Sequence, residues 1–154
     1  MALTEEVSTL RQVPLFARVS APRLKLIAFS AERVTYRPGE LLCLQGEAGD
    51  AAYVILRGRA EVLVDGPQGP NRVAELSEND VVGEIAILCD ITRTASVKAV
   101  TQVEALRICK DTFLKLMSDF PEMAIEVIRV LADRLHRTTR ELAVEKSRSE
   151  RNLH

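Results

Sequence analysis

The sequence predicts an α+β fold: an eight-stranded antiparallel β-roll, a jelly-roll-like barrel, with N-terminal helices before it and a long C-terminal helix after it. Three observations support this. All seven glycines lie between Gly39 and Gly83, which places turn chemistry in the middle of the chain and helical texture at its ends. Between Glu32 and Cys109, short apolar runs recur at close spacing, separated by Gly, Pro, Asn and Asp. On both sides of that region the apolar residues return to a period of about 3.6. The 154 residues suit one domain. It covers 1–146, with helices over 1–30, the roll over 31–109 and C-terminal helices over 110–146; the segment 147–154, SRSERNLH, reads as a frayed tail.

The elements follow in order. Ser20 is a candidate N-cap for Ala21–Phe29, with Pro22 tolerated in the first turn and Leu24, Ile27 and Ala28 on one face. The piece Val13–Phe16 packs as a turn before it. Glu32–Tyr36 is a strand closed by the turn RPGE, and Leu41–Leu44 is a second, followed by the polar loop QGEAGD. Ala52–Leu56 and Arg59–Val64 are joined at Arg57–Gly58, a tight hairpin signal. Asp65–Pro70 reads as a loop, then Arg72–Leu76, Asp80–Val82, Ala95–Val100 and Val103–Cys109 complete the strands. Lys110–Asp119 is a short helix stopped before Pro121. From Glu122 to about Lys146 there is no Gly or Pro, which predicts one long helix. Ile125, Ile128, Ala132 and Leu135 mark a face toward the barrel. Ile128, Leu131, Leu135, Thr138 and Leu142 follow a 3-4-3-4 spacing, which fits either a dimer seam or packing onto the chain's own barrel.

Composition limits the function classes. Lys and Arg total 21 against 22 Asp and Glu, a net charge of -1, which argues against a polyanion binder working by bulk electrostatics. No apolar run approaches the roughly 20 residues that span a bilayer, and MALTEEVSTL does not read as a signal peptide. Cys43, Cys89 and Cys109 lack metal-type spacing; Cys43 and Cys109 sit in apolar runs and read as buried free thiols of a reducing, cytoplasmic protein. His136 and His154 are the only histidines, so no strand carries one. That leaves a metal-dependent enzyme on a small barrel without ligands, and the expectation is no metal and no catalysis.

Chemistry concentrates in Val82–Ala99, VGEIAILCDITRTASVKA. Gly83 ends a strand and lets backbone approach a ligand closely. Glu84–Leu88 can form a short helical turn whose first N–H groups lack internal partners and favour an anion. Nine residues beyond Glu84, Arg93 offers a guanidinium fork suited to phosphate; Thr94 adds a hydroxyl, and small Ala95 keeps the backbone near. A carboxylate beside these donors would repel a bare phosphate, but it can accept a hydrogen bond from a sugar hydroxyl.

Through Gly83, Glu84, Ala86, Arg93, Ala95 and Ser96 the segment resembles the phosphate-binding cassette of cyclic nucleotide-binding domains. Such domains occur in the catabolite activator protein, protein kinase A regulatory subunits and cyclic-nucleotide-gated channels. The nine-residue spacing is similar to the kinase and channel versions, and RTAS at 93–96 is channel-like. RPGE, the QGE of Gln45–Glu47, Tyr53–Val62 and PE at 121–122 fit the same frame, from about Leu10 to Thr139. The resemblance implies Arg93 on the cyclic phosphate and Glu84 on the ribose 2'-hydroxyl, with the N–H groups of Ile85 and Ala86 and Thr94 completing the cradle. Val73, Leu76, Val82 and Ile85 are the implied apolar wall around base and sugar.

Ala132–Leu142 resembles the dimer helix of the catabolite activator protein, which would bring Thr138 and Thr139 to the adenine amino group, one from each subunit; both could equally be solvent-facing hydroxyls. A Thr after the cassette arginine can also favour guanine in channel domains. The expected ligand is therefore cAMP, with cGMP as the competitor and no other cofactor. From Glu122 onward seven basic residues face six acidic ones, too little excess to replace a DNA-binding domain, and none is expected in this chain. The expectation is a free-standing, non-catalytic cytoplasmic receptor. The C-terminal helix would relay binding to an unknown partner and could form a homodimer. The alternative is a constitutive interaction or regulatory subunit with a vestigial nucleotide site.

Overall fold

A computed structural model describes residues 2–152. Three helical pieces come first: α1 (Ala2–Gln12), a 3-10 turn at Pro14–Phe16 and α2 (Ala21–Ser30). Eight strands follow: β1 (Glu32–Tyr36), β2 (Leu41–Cys43), β3 (Ala51–Arg57), β4 (Ala60–Gly66), β5 (Gly69–Leu76), β6 (Val81–Val82), β7 (Ser96–Ala99) and β8 (Val103–Cys109). A short helix α3 (Glu84–Leu88) sits between β6 and β7, and α4 (Lys110–Asp119) and α5 (Pro121–Asn152) close the chain. The fold is the expected α+β roll. Two four-stranded antiparallel sheets face each other, one in the order β1-β8-β3-β6 and the other β2-β7-β4-β5.

The core is organised around β3. Its run AAYVIL is buried at every position, because both of its faces are covered. Ala51, Tyr53 and Ile55 point into the roll with Val97, Val103 and Ala105. Ala52, Val54 and Leu56 point outward under a helical layer that includes Phe16, Leu24, Ile27, Phe113, Met123 and Val127. Each of the larger side chains contributes about 1.5–3 kcal/mol on burial. β5 is the opposite case: an exposed edge strand, blunted by Pro70, Arg72 and Glu75.

Five features differ from the sequence-based expectation. Arg57–Gly58 is not a hairpin: β3 pairs with β6 and β8, β4 with β5 and β7, so the chain turns a corner between sheets there. Gly58 has φ +99°, and a Cβ would run into the carbonyl of Gln102, so the corner requires glycine. Asp65–Pro70 is not a loop, because Asp65 pairs with Pro70 and Gly66 with Gly69, leaving only Pro67 and Gln68 at the tip. Helix α5 continues through 147–152, whose residues include no Gly or Pro; 153 and 154 lie outside the described residues.

The fourth and fifth differences concern side chains. Ile125, Ile128, Ala132 and Leu135 face solvent, and the body is instead met by Met123, Val127 and Leu131. Two apolar stripes compete on this helix. The buried carboxylate of Glu84 favours the second, which carries Arg134 one turn further along. The cysteines are free, but Cys89 and Cys109 are exposed and Cys43 is half-buried. Cys109 caps α4 at the end of β8, where the side chain leaves the core.

Candidate functional site

The β6–α3 junction is built around Gly83. It adopts φ +90° as the N-cap of α3, a conformation that suits glycine, and it turns the chain from strand into helix within one residue. The first N–H groups of α3, those of Ile85 and Ala86 among them, have no partner within the helix. A Cβ on Gly83 would meet the Arg93 guanidinium, and the carbonyl of Ala51 at 2.9 Å. The glycine therefore allows backbone and guanidinium to share one small volume.

Arg93 arrives from the loop before β7 and is held at both ends. Its N–H donates to the Glu47 carbonyl at 2.7 Å, and its carbonyl accepts from the Gly46 N–H at 2.9 Å. The QGE segment thus works as a backbone brace for the arginine. The buried hydroxyl of Ser96 accepts from the Gln45 N–H at 2.9 Å and ties the same loop to β7. Arg93 is 5% exposed. Nη1 donates to the Gly83 carbonyl at 3.0 Å, and Nη2 to the Ala51 carbonyl at 2.7 Å and Asp50 Oδ1 at 3.4 Å. Asp50 also accepts from Arg107 at 3.1 Å, so it is shared between two cations.

Glu84 is likewise 5% exposed. Its Oε1 accepts from Arg134 Nη1 at 2.8 Å, a contact from the fourth turn of α5, across 50 residues of sequence. Between Glu84 and Arg93 opens a cavity of about 530 Å³, its mouth included. Gly83, Ile85, Ala86, Thr94 and Ala95 join the two charged residues in its polar part. Val62, Leu76, Val82 and Val97 form an apolar wall. Cys43 completes it; burial pushes this thiol up, so it stands as a neutral wall group. An anion can meet N–H groups and a cation here, and a hydroxyl-bearing apolar body can lie against the wall with a carboxylate as acceptor.

All the residues named from the sequence line this cavity except Val73, Thr138 and Thr139. Val73 lies on the exposed edge strand. Thr138 and Thr139 are on the solvent-facing part of α5, where Thr139 Oγ1 donates to the Leu135 carbonyl at 2.8 Å. Arg134 is the residue that sequence reasoning missed. The sequence carries only part of the signal: Arg134 continues the stripe Met123, Val127, Leu131, but the acid that it meets lies 50 positions away. Among the described residues, no group of three or more His, Cys, Asp or Glu side chains could hold a metal ion. No helix among them is long and apolar enough to cross a membrane.

The family model for the cyclic nucleotide-binding domain matches residues 33–120, more than half of the chain. The chain is 29% identical over 135 residues to a CRP-like cAMP-activated global transcriptional regulator of Mycobacterium tuberculosis, an alignment covering 87% of this chain and 60% of the relative. It is 34% identical over 108 residues to a cAMP-dependent protein kinase regulatory subunit of Yarrowia lipolytica, covering 70% of this chain and 28% of that one. The chain thus spans less than two thirds of the length of these relatives. Among solved structures, the catabolite activator protein of Thermus thermophilus superimposes with a TM-score of 0.77 at 27% identity, over 85% of this chain and 62% of the other. With the roll, the β6–α3 turn and the braced arginine already in place, the family match settles the classification: the chain belongs to the cyclic nucleotide-binding domain family.

Proposed function

We propose that this domain is a non-catalytic receptor for a 3',5'-cyclic nucleotide, with cAMP the preferred ligand and cGMP the competitor. The observation that carries the reading is the pairing of two buried, oppositely charged side chains, Glu84 and Arg93, on one cavity with the start of α3 between them. Arg93 and the N–H groups of Ile85 and Ala86 would take the cyclic phosphate, with Thr94 as a further donor. Glu84 would accept the ribose hydroxyl through Oε2 while Oε1 keeps Arg134. Leu76, Val82 and Ile85 would flank sugar and base. Two relatives whose names refer to cAMP, the mycobacterial regulator and the yeast kinase subunit, support the choice of ligand.

The same carboxylate links ligand to helix. A sugar on Glu84 changes the balance of the Glu84–Arg134 pair, and Arg134 is the point where α5 leaves the body. Inward rotation of α5 about this point would carry Thr138 and Thr139 toward the base and relay occupancy to a partner. Beyond Arg134 the helix has only exposed residues through Arg148, and Ile128, Leu135 and Leu142 lie seven apart at 64%, 68% and 61% exposure. A second copy of the chain, packing α5 on α5, is the partner that this repeat fits.

A second reading has its own observation. Both terminal nitrogens of Arg93 and one oxygen of Glu84 already have protein partners, as a vestigial site in a constitutive regulatory subunit would have. Thermal melting with excess nucleotide separates the two. A ligand at about 100 times its dissociation constant adds about 2.7 kcal/mol. That raises the midpoint by roughly 5–10 °C for a chain of this size. An unchanged midpoint with both cAMP and cGMP would establish the vestigial reading instead.

A further inference from the structure

Among the described residues, Arg93 has one ionic partner. That partner is Asp50, whose Oδ1 stands 3.4 Å from Nη2. The other contacts of the guanidinium are neutral carbonyls, those of Gly83 and Ala51. A carboxylate on Arg93 competes with any anion brought to the same guanidinium, because both draw on the same positive charge.

Asp50 is itself divided between two cations. Its Oδ2 accepts from Arg107 Nη2 at 3.1 Å, a shorter contact than the one with Arg93. Arg107 lies on β8, where the register with β3 sets it opposite Tyr53, and the Tyr53 hydroxyl flanks its guanidinium. Glu32 on β1 comes within 3.9 Å of Arg107 Nη1, but it is 68% exposed, so water screens most of that attraction. The backbone of Asp50 is fixed independently. Its carbonyl accepts from the Lys110 N–H at 2.8 Å, and the next carbonyl, that of Ala51, accepts from Arg93 at 2.7 Å. What remains adjustable is the carboxylate, which can lean toward Arg93 or toward Arg107. Arg93 and Asp50 alone would cancel. With Arg107 sharing the carboxylate, the three keep one positive charge, which matches the single negative charge of a cyclic phosphate.

We propose that Arg107 is a positioning residue for the nucleotide site: it draws Asp50 away from Arg93 and so leaves the charge of Arg93 to the phosphate. The inference rests on the receptor reading above, and it concerns the strength of that site. Arg107 does not line the cavity and acts through Asp50 alone. Without it, the carboxylate would turn onto Arg93, and a ligand would have to displace a full ion pair.

The first arm of the test needs no nucleotide. In the ligand-free full chain, Arg107→Met should move the Arg93 Nε–H resonance as Asp50 turns onto Arg93. In an Asp50→Asn background the same substitution should leave that resonance in place. The second arm is calorimetric titration with cAMP. Arg107→Met should weaken binding roughly threefold or more. Arg107→Lys keeps the charge and should restore most of the affinity, and Arg107→Met on Asp50→Asn should have no effect. Arg107 is partly exposed, so these variants should fold, and the melting midpoint reports whether each does. An Arg93 resonance unmoved by Arg107→Met would overturn the proposal, as would equal affinity in wild type and a folded Arg107→Met. A loss of affinity that persists in the Asp50→Asn background would overturn it too, because Arg107 would then act by a route other than Asp50. Absence of cAMP binding by the wild type would overturn the receptor reading instead, and the first arm would still decide whether Arg107 controls Asp50.

Discussion

Removing Arg134 tests how far α5 is tied to the pocket. Glu84 and Arg134 meet at 2.8 Å, with the glutamate side chain 7% exposed and the arginine 40%. Taking one partner from a fully buried pair costs about 3–5 kcal/mol, because the other charge is stranded. Arg134 is partly in water, which weakens the attraction and lets solvent replace some of it; a loss of about 1–3 kcal/mol follows for Arg134→Ala. The melting midpoint should then fall by roughly 2–10 °C. Glu84→Gln removes the stranded charge, so the double variant should recover part of that loss. Urea unfolding of the wild type, both single variants and the double variant gives the coupling energy directly. Coupling within about 0.3 kcal/mol of zero would show that the pair does not act in solution, and that α5 takes its rotation from apolar packing alone.

Other changes have equally definite outcomes. Gly83→Ala places a methyl group against the Arg93 guanidinium at φ +90°, and should weaken cyclic-nucleotide binding at least roughly tenfold by calorimetry. Gly58→Ala, at the corner between sheets, should destabilise by about 1–3 kcal/mol in urea while leaving affinity for nucleotide unchanged in the folded protein. Leu135→Asp with Leu142→Asp should abolish the proposed α5–α5 dimer by light scattering without lowering the melting midpoint of the monomeric body. Among the thiols, the hydrogen bond from Thr112 holds Cys109 below its usual range and burial holds Cys43 above it. The Cys109 thiolate therefore appears at lower pH, and iodoacetamide near neutral pH should label Cys109 before Cys43 by peptide mass analysis.

The parts of the fold legible in the sequence were those set by local chemistry. The strands from Glu32 to Cys109 show as short apolar runs between turn residues, and β3 shows as a continuous run because it is buried on both faces. Arg57–Gly58 was misread because a corner and a hairpin need the same glycine; only distant pairing, β3 with β8 and β4 with β7, distinguishes them. The cavity's polar half was legible because Gly83, Glu84, Arg93 and Thr94 fall within twelve residues of one another. Arg134 was not, because its meaning depends on a carboxylate 50 positions away. The side of α5 that faces the body was misread for the same reason: two apolar stripes look alike until the acid beneath one of them is known.

The most direct test is calorimetric titration of the purified protein and of Arg93→Ala with cAMP and with cGMP. Saturable binding by the wild type, tighter for cAMP, with a loss of at least roughly tenfold, about 1.4 kcal/mol, in a folded Arg93→Ala is the result expected of a phosphate held by this arginine. Equal affinity in the two proteins would contradict the proposed site, and absence of binding by the wild type would contradict the receptor function itself.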